Sequence, residues 1–145
     1  FTKESNAAFL WAQLENLDEI QGKRKKLWEQ YFAGLQTLAR EGKLRLPKIP
    51  SYATNNGHMF YIVCRNLEER SGLIQYLKEN GVTAPFHYLS LHKSDYYVNH
   101  TDSVPDLPFC DMYADCLVRM PMYYELELEQ VDMIVGLIKE FYKEK

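Results

Sequence analysis

Apolar residues recur along this chain with two distinct periods, and the alternation between them outlines the fold. Ala7, Leu10, Trp11, Leu14 and Leu17 fall at three-and-four spacing, and Leu27, Trp28, Tyr31, Phe32, Leu35 and Leu38 resume it. That spacing predicts a long amphipathic helical region. Gly22 separates the two sets and predicts a bend or break there, while Gly42 and Pro47 close the region. Leu44 to Leu46 reads as a short strand. Asn55-Asn56-Gly57 signals a turn before Met59 to Cys64, an apolar run of strand length with both faces buried. Asn66 then fits an N-cap, with Glu69 three residues on completing a capping box. Leu73, Ile74 and Leu77 form the apolar side of the helix that follows, which Asn80-Gly81 ends. Val82 to Phe86 returns as a strand. Ser90 to Pro108 reads as a long polar loop, a length that usually marks function or mobility. A short helix through Met112 and Tyr113 leads to a strand at Leu117 to Met120, stopped by Pro121. Val131, Ile134, Val135, Ile138, Phe141 and Tyr142 mark one face of a last helix. The expected architecture is α+β: a small sheet packed against long helices.

Composition narrows the function classes. A chain of 145 residues, 46% hydrophobic, is long enough to bury one core. The net charge of −3 argues against nucleic-acid binding. The basic run Lys23-Arg24-Lys25-Lys26 lies among Glu15, Asp18, Glu19 and Glu29 and reads as a solvated helix face. No apolar stretch approaches the roughly 20 residues of a membrane helix, and the start has no signal-peptide pattern. Cys64, Cys110 and Cys116 are an odd number of cysteines at no metal-like spacing, which suits a reduced, cytoplasmic protein. Eleven tyrosines suit an aromatic-rich ligand site or subunit interface.

Candidate chemistry concentrates in Ala84-Pro-Phe-His-Tyr-Leu-Ser-Leu-His92. His87 and Tyr88 stand where a strand gives way to a loop, so their side chains are expected to point in different directions. Imidazole and phenol can donate hydrogen bonds to phosphate or sugar oxygens without a buried permanent charge. Taken alone, such a pair is more often structural than functional. His58, His87, His92 and His100 have no helical i, i+4 spacing and no nearby cysteine pair, which disfavours a metal site. Cys64, within an apolar strand, reads as inert packing rather than a nucleophile. The seven glycines are scattered, with no phosphate-cradling loop.

Four segments in order carry a family resemblance. They are Asn6 to Tyr31, with its Ala7-Ala8 and Gln13-Leu14 pairs; His58-Met59-Phe60-Tyr61-Ile62; Phe86-His87-Tyr88-Leu89-Ser90-Leu91-His92; and Arg119-Met120-Pro121-Met122-Tyr123-Tyr124. Together they resemble the C-terminal part of the DegT/DnrJ/StrS sugar-nucleotide aminotransferases, most nearly the dTDP-4-amino-4,6-dideoxygalactose transaminase branch. The resemblance implies the small domain of a fold-type I, aspartate-aminotransferase-like enzyme, with residues 1–145 as that C-terminal domain. It implies pyridoxal 5′-phosphate in the full-length enzyme, glutamate as amino donor, and a dTDP-linked 4-keto-6-deoxy sugar as acceptor in lipopolysaccharide or other surface-polysaccharide synthesis. In the family, the Schiff-base lysine precedes the Asn-Ala-Ala helix. By the resemblance this chain therefore lacks that lysine and the large domain, binds no cofactor alone, and is inactive alone. Lys3, exposed at a helix start, is no substitute.

The resemblance places sugar-nucleotide contacts on His87 and Tyr88, and further on His92 and His58; His58 is equally readable as a strand-start residue. A homodimer is implied, with no nucleic-acid or membrane partner. One departure is Ser90, where the family commonly has proline; serine is expected to leave the loop freer and the pose of His92 less fixed. Glu127 stands where serine or threonine would usually cap the last helix. The alternative reading is a free-standing sugar-nucleotide-binding or protein-interaction module without catalysis, whose first helix pairs with another copy.

Overall fold

The computed structural model, which describes residues 3–143, has six α-helices and a two-stranded antiparallel sheet among those residues. The first helical region is two helices, α1 (Lys3–Glu15) and α2 (Leu17–Arg40). The break falls at Asn16, not at Gly22, which lies inside α2. Asn16 turns its side-chain amide back to the carbonyl of Ala12 at 3.0 Å. A short polar side chain that competes for backbone groups interrupts the helix better than an exposed glycine, whose cost is only about 1 kcal/mol.

Gly57 is the turn residue that delivers the chain to β1 (Tyr61–Val63). Its φ is +62°, and a Cβ there would stand 2.9 Å from the backbone carbon of Arg24. Both facts demand glycine. The sheet pairs β1 with β2 (Leu117–Arg119), setting Tyr61 opposite Arg119 and Val63 opposite Leu117. The strands expected at Leu44–Leu46 and Val82–Phe86 reduce to single bridges, Arg45 with Val63 and Phe86 with Val118. Leu46-Pro47 and Pro85 explain the shortening, because proline cannot donate to a ladder.

Between them runs α3 (Leu67–Glu79), capped as expected: the Asn66 side chain accepts from the Glu69 N–H at 2.8 Å. Glu69 reaches back not to Asn66 but to the N–H of Arg65, at 3.2 Å. Gly81, at φ +78°, follows the helix end. The expected loop of Ser90–Pro108 contains a 3-10 turn (Leu91–Lys93) and a short helix, α4 (Asp95–Asn99). It leads into α5 (Pro108–Cys116), and after β2 the chain ends on α6 (Leu128–Lys143).

The sheet's two faces differ. Phe60, Ile62, Val118 and Met120 point into the main core with α2, α3 and α6. All six expected apolar residues of α6 are buried, each contributing about 1.5–3 kcal/mol of burial for its larger side chains. Gly34 allows α2 and α6 to meet closely, since a Cβ there would fall 2.8 Å from Val135 Cγ1. Tyr31 stacks on Phe60 at 5.1 Å and donates its hydroxyl to the carbonyl of Pro121 at 3.2 Å. A polar tie crosses this core. Glu69, 4% exposed, accepts from the Tyr142 hydroxyl at 2.7 Å and from Arg65 Nε at 2.6 Å. The opposite face carries Tyr61, Val63, Leu117 and Arg119. There α5 covers only one end, through Met112 and Cys116 packed on Val63 and Leu117.

Candidate functional site

The expected site residues divide into three surroundings. His87 is half-buried and Tyr88 is 71% exposed, yet their rings touch, with centroids 4.4 Å apart and planes tilted by 59°. The expected divergence is thus one of exposure more than of direction. His87 Nδ1 is buried with no hydrogen-bond partner among the described residues. A buried polar atom left unpaired is costly and points to a missing partner.

His92 does not face outward. It is buried, with Nε2 3.5 Å from Asp111 Oδ1 on α5. Asp111 gathers the whole segment: it accepts from Ser90 Oγ at 2.7 Å and pairs with Lys93 Nζ at 2.7 Å. Those two hydrogen bonds, from Lys93 first and Ser90 second, hold the Asp111 carboxyl below its usual range. Ser90 corrects an expectation. Its φ of −62° is the value proline would impose. The serine reaches that backbone through its bond to Asp111 and leaves the loop tied, not freer.

His58 is exposed at the mouth of a cleft of about 280 Å³ between α2 and the sheet, also lined by Arg24, Thr83, Pro85 and Arg119. Arg24 donates to the carbonyls of Gly57 at 3.3 Å and His58 at 2.6 Å, so His58 is fixed through its backbone while its ring stays free to reach a ligand. Arg24 and Lys23 correct the reading of the basic run as a solvated face: both are partly buried and Lys23 pairs with Glu127 at 2.8 Å, while Lys25 and Lys26 are exposed. Glu127 thereby ties α2 to the start of α6, whose first turn is closed by the Gln130 side chain accepting from the Glu127 N–H at 2.9 Å. His100 belongs to none of this; it stacks on Tyr96 and bonds the Tyr96 carbonyl. The hollow of about 500 Å³ at Lys23 and Glu127 is lined by that pair, by Glu19, which accepts from the Tyr124 hydroxyl, and by Asp18 and Lys26.

Sequence reasoning missed Asp111 and Arg119 as parts of the site. Arg119 was visible only as the first residue of a motif, and Asp111 had no local signal at all. Cys64 behaves as expected: it is buried, and burial pushes its thiol up to about 12. The described lysines do not fit a pyridoxal aldehyde. Each is at least partly exposed, and Lys23, Lys43 and Lys93 are held by Glu127, the Tyr142 carbonyl and Asp111. A Schiff-base lysine needs a pocket that favours its neutral amine, and none of these lysines has one. No described helix is long and apolar enough to cross a membrane.

The profile of the DegT/DnrJ/EryC1/StrS aminotransferase family matches residues 2–139, and the chain belongs to that family. It is 25% identical over 139 residues to dTDP-3-amino-3,4,6-trideoxy-alpha-D-glucose transaminase of Streptomyces venezuelae, covering 95% of this chain and 35% of that protein. Among solved structures, S. venezuelae DesV superposes with a TM-score of 0.83 at 26% identity, over 93% of this chain and 35% of DesV. Spr1654 of Streptococcus pneumoniae, solved in a PLP-form, gives 0.80 at 20% identity, over 92% of this chain and 34% of that one. The chain therefore spans about a third of the length of the relatives it matches. Pyridoxal phosphate chemistry comes with the family.

Proposed function

We propose that this chain is the C-terminal small domain of a pyridoxal-phosphate-dependent sugar-nucleotide aminotransferase. The reaction is transfer of an amino group from glutamate to a dTDP-linked 4-keto-6-deoxy sugar, serving lipopolysaccharide or other surface-polysaccharide synthesis in the cytoplasm. His87 and Tyr88 contact the nucleotide sugar. His58 adds a contact at the cleft mouth, and His92 acts from below, through Asp111. The chain is inactive without the large domain that carries cofactor and lysine, and the working enzyme is a homodimer.

The observation that carries this reading is α1. Phe9, Leu10, Trp11 and Leu14 are all at least half exposed, and no residue of α1 is buried. An apolar helix surface of this kind marks a place where other protein belongs. The family membership and the one-third coverage support the large domain as that protein. The test is absorbance spectroscopy with added pyridoxal phosphate, beside an NMR titration with dTDP and a dTDP-sugar. We expect no saturable aldimine band, and shifts confined to His87, Tyr88 and their neighbours. An aldimine band mapped to a single lysine of this chain would overturn the reading.

The same bare α1 surface favours one other reading, a free-standing binding module that pairs through α1. An upstream reading frame carrying the lysine motif, joined to this one, excludes it.

A further inference from the structure

The chain is held from outside on both sides of His87 and Tyr88. On the near side, Phe86 bridges Val118 in the sheet. The guanidinium of Arg70, on α3, lies over the Phe86 ring at 5.1 Å and donates its Nε–H to the carbonyl of Asp115 at 2.9 Å. On the far side, three residues of one four-residue run meet a single carboxylate. Ser90 Oγ and Lys93 Nζ each lie 2.7 Å from an oxygen of Asp111, and His92 Nε2 lies at 3.5 Å. Between the two holds only His87, Tyr88 and Leu89 remain, and Tyr88 and Leu89 are strongly exposed.

Both holds run to α5. Asp111 and Asp115 are four positions apart, so they fall on one side of that helix, one turn from each other. Met112 and Cys116 seat the helix on Val63 and Leu117 of the sheet. Asp111 stands in the first turn, where the helix dipole favours a carboxylate, and its bonds from Lys93 and Ser90 favour the ionised form. Hydrogen bonds to a charged acceptor are the stronger kind. The apolar core does not need these two side chains: neither Arg70 nor Asp111 is buried, and neither belongs to an apolar cluster.

We propose that Asp111 and Arg70 are positioning residues, which clamp the chain on either side of His87 and Tyr88 and fix the pose in which that pair meets a ligand. Ordering a flexible span costs conformational entropy, and a span ordered in advance leaves less of that cost to binding. Removing a clamp lowers the population of the competent pose, and the apparent affinity falls by the same fraction. That the ligand is a nucleotide sugar rests on the function proposed above; the clamp rests on the contacts alone.

The test combines backbone amide relaxation of the chain with a dTDP titration. Asp111→Leu should loosen residues 87–93 and weaken dTDP binding by roughly tenfold, the loss when the competent pose falls to about a tenth of the molecules. Asp111→Asn keeps an acceptor for Ser90 but loses the charge that holds Lys93, and should fall between. Arg70→Gln should loosen residues 86–88 and leave 90–93 ordered. Adding Ser90→Pro to Asp111→Leu lets the ring impose the φ of −62° that the bond to Asp111 otherwise holds. That double variant should recover order and most of the affinity, which a merely structural role for Asp111 would not predict.

Unchanged relaxation at 87–89 in both Asp111→Leu and Arg70→Gln overturns the proposal. So does loosening that spreads through α5 and β2 and that Ser90→Pro does not recover. The two readings fail separately. A parent chain that binds no dTDP, with 87–89 loosened by Asp111→Leu, removes the nucleotide sugar and keeps the clamp. Equal dTDP affinity in the parent, Asp111→Leu and Arg70→Gln, with shifts at Tyr88 in all three, keeps the substrate assignment and removes the clamp.

Discussion

Helices α1 and α6 both bear apolar side chains at helical spacing, and the molecule treats them oppositely. In α6 six such residues are buried, and Gly34 on α2 opens the room for Val135. In α1 none is buried, and Trp11, 65% exposed, does no more than donate to Glu15 on the same helix. Periodicity reports that a helix has an apolar face; it does not report what covers that face. In α6 the cover is this chain's own α2 and α3. Among the described residues nothing buries the apolar side chains of α1.

The sharpest way to break that contrast is a pair of truncations. Ile138→Ala, at a fully buried position, should cost about 2–5 kcal/mol in chemical denaturation. Leu10→Ala on α1 should cost under about 0.5 kcal/mol, as surface substitutions do. A Leu10→Ala cost near that of Ile138→Ala, growing with protein concentration, would mean a second copy covers α1 in solution.

The polar tie that α6 makes is the next test. Burial alone would push the Glu69 carboxyl up, but the hydrogen bonds from Tyr142 and Arg65 outweigh it and hold the group low. Its folded value lies below the unfolded one, so its contribution to stability is present above the ordinary glutamate range. It is lost as pH falls through the depressed value. Glu69→Gln should remove about 1.5–3 kcal/mol at neutral pH, the range for hydrogen bonds to a charged group. The variant's stability should also fall less steeply than the parent's on acidification. Equal slopes would mean that Glu69 contributes nothing through its charge.

Legibility in the sequence follows the same contrast. Elements whose reasons are local were readable: the Asn66 cap, the Gly81 stop and the six-residue face of α6. Features that join distant segments were not. Glu69 showed as a capping residue, but its bond to Tyr142 spans 73 positions. Asp111 gathers Ser90, His92 and Lys93 from about twenty residues upstream with no motif to announce it. The Gly22 break failed because Asn16, six positions earlier, interrupts the helix through its own side chain. In the candidate site, the resemblance put forward His87 and Tyr88, whereas the burial of His92 and the isolation of Arg119 needed tertiary structure.

Between the packed core and the loop stands Gly57, which touches both. Gly57→Ala puts a β-carbon at a positive φ and against the backbone of α2 at Arg24. The strain should cost about 1–3 kcal/mol. Because Arg24 holds the Gly57 and His58 carbonyls, the change should also move the amide signals of both flanking segments. A loss of stability with unmoved signals around Arg24 would place the strain elsewhere.

Ser90 gives the smallest effect and separates two ways of fixing a loop. The backbone is already at φ −62°, so Ser90→Pro fits without strain and should gain about 0.4–1 kcal/mol by restricting the unfolded chain. It also removes the hydroxyl donated to Asp111, a loss of about 0.5–1.5 kcal/mol. The two nearly cancel, so the denaturation midpoint should barely move. Ser90→Ala loses the bond with no gain in return and should be the less stable variant. Backbone relaxation of residues 87–92 then reads what stability cannot. If the serine tie fixes the loop, Ser90→Ala loosens it and Ser90→Pro leaves it as ordered as the parent. If both variants leave the relaxation unchanged, then Lys93 and His92 hold the segment on Asp111 without the serine, and the hydroxyl is incidental to the pose of His87 and Tyr88.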